Sequence, residues 1–76
     1  MKQKYTIRLN THTTQKEGEL DDVIKYCETL VLKTLDEDDD NDLVVYDESG
    51  RPVAKLYDFY KDRNKVIWFK YAPSDK

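Results

Sequence analysis

Three patterns in this chain predict an α+β fold, with one amphipathic helix packed on a four-stranded, mainly antiparallel sheet in the order βαβββ. A period-two alternation opens the chain, a three-and-four spacing of apolar residues follows it, and short runs of β-branched and aromatic residues fill the second half. With 76 residues there is room for one domain, 1–76, at the low end of the size at which a single apolar core suffices.

Gln3, Tyr5, Ile7 and Leu9 alternate with Lys4, Thr6, Arg8 and Asn10, which predicts a first strand over 3–10 with one buried face. Asn10 to Thr14 reads as a polar turn. Leu20, Val23, Ile24, Cys27, Leu30, Val31 and Leu35 then recur every three or four positions and mark a helix stripe. Thr14 followed by Glu17 fits a capping box, and Glu19, Asp21 and Asp22 suit the positive end of the helix dipole, so the helix is expected to begin between residues 15 and 19. It should stop near Leu35, because Asp36-Glu37-Asp38-Asp39-Asp40-Asn41-Asp42 would crowd like charges at the negative end; 36–42 is therefore an acidic loop. Leu43–Tyr46 and Pro52–Tyr60 flank Asp47-Glu48-Ser49-Gly50-Arg51, a hairpin loop in which Gly50 takes the position needing positive φ. Lys61–Asn64 is a second polar turn, and 65–71 is a last strand ending at Ala72-Pro73.

A single helix leaves one sheet face uncovered. In the last strand Ile67, Phe69 and Tyr71 oppose Val66, Trp68 and Lys70, and in the strand before it Leu56 and Tyr60 oppose Val53, Tyr57 and Phe59. Both faces carry apolar residues, so the uncovered face is either an interface, for a second copy or a ligand, or a small aromatic core closed by loops. The lone Cys27 cannot close an intrachain disulfide, which makes a homodimer the natural supplement to a small core.

The chain lacks the components of common catalytic sites, and it is expected not to be an enzyme and to need no cofactor. Cys27 lies on the apolar stripe, where a thiol is buried and inert, and the single histidine, His12, sits in a threonine-rich turn. Two glycines, Gly18 and Gly50, cannot build a phosphate cradle. Asp36, Asp38, Asp40 and Asp42 match the first four ligand positions of a calcium loop, but Asn41 stands where glycine is required and Asp47 where a glutamate closes the site, so no metal site is assigned. No apolar run approaches the roughly 20 residues that span a bilayer, and the first five residues lack a signal-peptide pattern, so a cytoplasmic protein is expected.

Charge carries the functional reading. Between Glu17 and Glu48 stand thirteen carboxylates against Lys25 and Lys33, a local charge of −11 in a chain of net −3, while the segments on either side each sum to +4. Glu19, Asp21, Asp22 and Glu28 lie off the apolar stripe, and Asp36, Glu37, Asp38, Asp39, Asp40 and Asp42 extend them past the helix end. Such an array can imitate nucleic-acid phosphates, which points to a protein-binding module that occupies the basic surface of a nucleic-acid-binding or transcription protein. Solubility is the ordinary alternative use of such a surface. A second reading places single-stranded nucleic acid on an aromatic sheet face of Tyr57, Phe59, Trp68 and Tyr71, although the −11 block argues against direct nucleic-acid binding. A third is a structural subunit of a larger assembly.

In its size, its Asp36 to Asp42 run and its lack of catalytic equipment, the chain resembles the small acidic proteins with which bacterial viruses disable host DNA-binding or transcription proteins, inhibitors of the nucleoid protein HU among them. The resemblance is one of class and matches no family motif. It implies stoichiometric inhibition in the host cytoplasm by covering a basic groove; the basic termini depart from a uniformly acidic mimic.

Overall fold

The computed structural model describes residues 2–71. Strands β1 (Gln3–Leu9) and β2 (His12–Gly18) form a hairpin, and helix α1 (Leu20–Thr34) follows. Strands β3 (Leu43–Tyr46), β4 (Pro52–Tyr60) and β5 (Lys65–Lys70) complete one antiparallel sheet in the order β2-β1-β3-β4-β5, with α1 across one face. The α+β class and the single helix hold, but the sheet has five strands where four were expected. The expected stop at Ala72-Pro73 lies outside the described residues.

The additional strand is β2. Thr14 and Glu17 pair with Ile7 and Lys4 of β1, so the expected capping box does not form, and the helix begins at Leu20 with Glu19 as its N-cap and no side-chain cap bond. No residue of β2 is buried, so it lacks the alternation that reveals a strand. What places it is pairing through the tight turn at Asn10, whose φ of 55° is one that asparagine tolerates better than most residues. Gly18, at φ 156°, then turns the chain directly from the strand into the helix.

The helix buries Val23, Ile24, Cys27 and Val31 against Tyr5, Ile7, Leu43, Val45, Ala54, Leu56 and Phe59 from three strands, and Leu35 closes the end of the core. Asp21 and Asp22 occupy the first turn and Lys33 the last, each matching the dipole. The hairpin between β3 and β4 follows expectation. Gly50 has φ 89°, and the Asp47 carboxylate accepts from Ser49 N, Ser49 Oγ and Arg51 N at 2.9, 2.7 and 3.0 Å. The Ser49 hydroxyl bond leads the contacts that hold the Asp47 carboxyl below the usual carboxylate range.

An irregularity between Leu56 and Asp58 corrects the expected faces of β4. The extra residue reverses the alternation, so Phe59 turns to the core beside Ala54 and Leu56, and Tyr60 does not share the face of Leu56. In β5, Val66 and Trp68 pack against the core as one set, as the alternation indicated.

Cys27 is fully buried, and burial, with a smaller contribution from Glu28, pushes its thiol up to about 12. An unfolded-chain thiol ionises near 8.5. Above that pH the unfolded state releases a proton that the folded state keeps, so stability falls as pH rises; below it the contribution is constant. Urea unfolding is expected to show a loss of about 1 kcal/mol between about pH 8 and about pH 9.5, and Cys27→Ala, though less stable throughout, should remove the thiol's share of that slope.

Candidate functional site

The acidic residues do not form one array. Glu19, Asp21 and Asp22 lie at the N-terminus of α1, and Asp36 to Asp42 lie beyond its C-terminus, about 20 Å away at 1.5 Å of rise per residue. Between them Lys25 and Lys33 line a groove of about 520 Å³ with Glu28, Thr29, Leu32 and Asn64. Glu28 also leaves the acidic surface: it is half-buried, and its Oε2 accepts from Trp68 Nε1 at 2.9 Å. The expected continuous acidic face therefore reduces to a small cluster that complements the helix dipole and a dense loop at one end of the molecule.

That loop is built, not merely charged. Asp36 Oδ1 accepts from Asp38 N at 3.1 Å, and Asp39 N donates to Asp36 O at 3.2 Å. Asn41, which occupies the position where a calcium loop needs glycine, donates from Nδ2 to the carbonyls of Asp36 and Asp39, both at 3.2 Å. Its Oδ1 accepts from Asn10 Nδ2 at 3.2 Å. Asn10 also exchanges two bonds with Asp42, its N donating to Asp42 O at 2.7 Å and its Oδ1 accepting from Asp42 N at 2.9 Å. At the other side Glu37 Oε2 accepts from Lys61 N at 2.6 Å, tying the loop to the 3-10 turn Lys61–Arg63. The loop is thus braced against the β1–β2 turn on one flank and the end of β4 on the other.

All six carboxylates of the run belong to exposed residues. Glu37, Asp39 and Asp40 face Tyr57 and Asp58 across a cleft of about 260 Å³. Among the described residues no group of three histidine, cysteine, aspartate or glutamate side chains has metal-binding geometry. What the arrangement can do is present dense negative charge on a held backbone to a cationic surface, at reduced backbone ordering cost. Asn41→Ala should remove three bonds that hold this shape. It is expected to cost about 1 kcal/mol and to speed amide hydrogen exchange at Asp38 and Asp39, while exchange in the core of α1 keeps its rank.

The aromatic set expected on one sheet face is divided. Phe59 and Trp68 lie on the helix-covered side. Tyr57 stands at the β4 irregularity, 74% exposed, and Tyr71 packs edge-on against Phe69 with ring centroids 5.3 Å apart. Arg8, Lys55 and Phe69 are outside the site the sequence points to, although Lys55 and Phe69 stand in its aromatic and basic segments, and the register places all three in one row across the uncovered face. The alternation of β1 and β5 already assigned Arg8 and Phe69 their sides; the missing signal was strand order, without which no cross-strand row can be drawn.

No helix among the described residues is long and apolar enough to cross a membrane. Compared with known proteins, the chain matches no family model, no curated protein and no solved structure.

Proposed function

We propose that this chain is a non-enzymatic protein-binding module whose braced acidic loop, Asp36 to Asp42, occupies the basic nucleic-acid-binding surface of a partner protein. The observation that supports the reading is the bracing itself. A loop that served only solubility would need no fixed shape, whereas here Asn10, Asn41 and Glu37 hold the loop backbone from both flanks. A braced backbone loses little conformational freedom on docking, so more of the charge attraction appears as affinity. The mimicry this allows is narrower than an acidic helix face would give. It is a single prong at one end of a molecule measuring 38 × 22 × 22 Å.

The test is capture from a nuclease-treated bacterial lysate at low salt, comparing the wild-type chain with a variant carrying Asp38→Asn, Asp39→Asn and Asp40→Asn. These residues lie at the tip, and the substitutions spare Asp36 and Glu37, whose carboxylates brace the loop. Recovery of a basic nucleic-acid-binding protein by the wild type alone, lost as salt rises, is the expected outcome. Equal recovery by both baits would refute the assignment of binding to this loop.

A further inference from the structure

The uncovered face of the sheet has a chemistry opposite to that of the loop. Register aligns Thr13, Arg8, Val44, Lys55 and Phe69 as direct partners on β2, β1, β3, β4 and β5, one residue from every strand. At about 4.8 Å between strands this row spans roughly 19 Å. Arg8, Lys55 and Phe69 are exposed, Phe69 to 55%, and Tyr71 flanks Phe69 edge-on. Neither cation has an acid beside it in the row. Among the described residues two acids belong to this face: Glu17 lies opposite Lys4, and Asp58 accepts from Tyr60 Oη at 3.0 Å.

By its place in the sequence the −11 segment argues against nucleic-acid binding. The fold carries Glu19, Asp21, Asp22 and Glu28 away on α1, across the opposite side of the sheet. Solvent ions, with a Debye length of about 8–10 Å near physiological salt, screen the exposed helix acids from this face, whereas the loop borders it: Asp42 is bonded to Asn10, two residues from Arg8, so neutralising loop acids should strengthen binding here.

We propose that the uncovered sheet face binds single-stranded nucleic acid, with Phe69 stacking a base and Arg8 and Lys55 contacting phosphates. An exposed ring beside exposed cations is what unpaired bases and their backbone require. A duplex fits less well, because its bases are already stacked and the described residues of this face form no protruding element to enter a groove. A twofold dimer through the same row would set Arg8 and Lys55 of one copy close to those of the other, an unfavourable placement of like charge. The inference is independent of the acidic-loop reading and uses none of its residues.

The experiment is fluorescence anisotropy with labelled oligothymidylate and oligouridylate of about 12 nucleotides, within the range a single small binding fold covers. Binding is expected at 50 mM salt. With two phosphate contacts it should weaken roughly sevenfold by 200 mM, because each contact on a single strand contributes about −0.7 to the slope of log K against log salt. Phe69→Ala should weaken it at least about fivefold at constant salt. Arg8→Gln and Lys55→Gln should each reduce the slope by about 0.7. The Asp38, Asp39, Asp40 to asparagine variant should bind better than the wild type, which separates this site from the acidic loop. No binding at low salt, equal binding by wild type and the Phe69→Ala and Arg8→Gln variants, or equal affinity for a duplex of the same length would overturn the proposal. Sedimentation showing a dimer that Phe69→Ala dissolves, with no oligonucleotide bound, would overturn it in favour of a second copy.

Discussion

Changing Asp38, Asp39 and Asp40 together to asparagine is expected to weaken partner binding by at least about a hundredfold, while the domain melts at the same temperature or slightly higher. The size follows from how charge pairs scale with burial. An exposed pair is worth about 0.2–1 kcal/mol, and a close pair desolvated in an interface several-fold more. Taking about 1 kcal/mol for each of three carboxylates seated in a groove gives about 3 kcal/mol, a factor of somewhat more than a hundred. The stability expectation has the opposite sign, because the run packs six acids into seven positions and neutralising three relieves repulsion. A titration followed by calorimetry, paired with thermal melts of the free proteins, reads both. Loss of binding with a lower melting temperature would attribute the effect to a damaged loop.

Trp68→Ala is expected to cost about 3 kcal/mol of stability, and Tyr57→Ala less than about 0.5 kcal/mol. By sequence the two residues are equivalent members of an aromatic surface. In the fold Trp68 packs against the core and donates Nε1 to Glu28, whereas Tyr57 is 74% exposed. Truncating Trp68 removes apolar contacts and leaves a half-buried carboxylate without its donor. For a domain of this size, whose total stability is about 4–11 kcal/mol at 0.05–0.15 per residue, that loss lowers the melting temperature by about 15 °C. Trp68→Phe, which keeps an aromatic ring but loses part of the indole's contacts together with the bond, should fall between the two at about 1–2 kcal/mol. Thermal melts of the three variants check the ranking. Similar, small losses for all of them would mean that Trp68 does not join helix to sheet.

These two residues also show where the chain was legible and where it was not. The helix could be read because its stripe from Leu20 to Leu35 repeats every turn, and five of those positions are buried. The loop 36–42 and the hairpin at Gly50 could be read because charge repulsion and positive φ are local requirements. Strand β2 could not, since His12–Gly18 buries nothing and is placed by pairing to a neighbour. The side of Phe59 could not, because one irregular residue near Tyr57 inverts the alternation, and nothing in Leu56-Tyr57-Asp58 marks it.

At the site, the density of carboxylates was visible but their partition was not. By sequence Glu28 belongs to the acidic surface; in the fold Trp68, forty positions along the chain, donates to it. Asn41 looked like the defect in a calcium loop and is instead the residue that shapes the turn. Arg8, Lys55 and Phe69 belong to three strands and meet only through the order β1-β3-β4-β5. The signs of charge separate in the sequence into a central acidic block and basic flanks. Folding turns that linear pattern into an acidic end and a cationic sheet face on one small domain.

The measurement that bears most directly on the central claim is a displacement titration. The basic protein captured by the wild-type chain is loaded with a fluorescent duplex, and the chain is added at rising concentration. Occupation of the nucleic-acid-binding surface by the Asp36 to Asp42 loop requires the duplex to be released as the complex forms, and the Asp38, Asp39, Asp40 to asparagine variant to release little of it at the same concentrations. A ternary complex in which duplex and chain are bound together, or equal release by the variant, would contradict it.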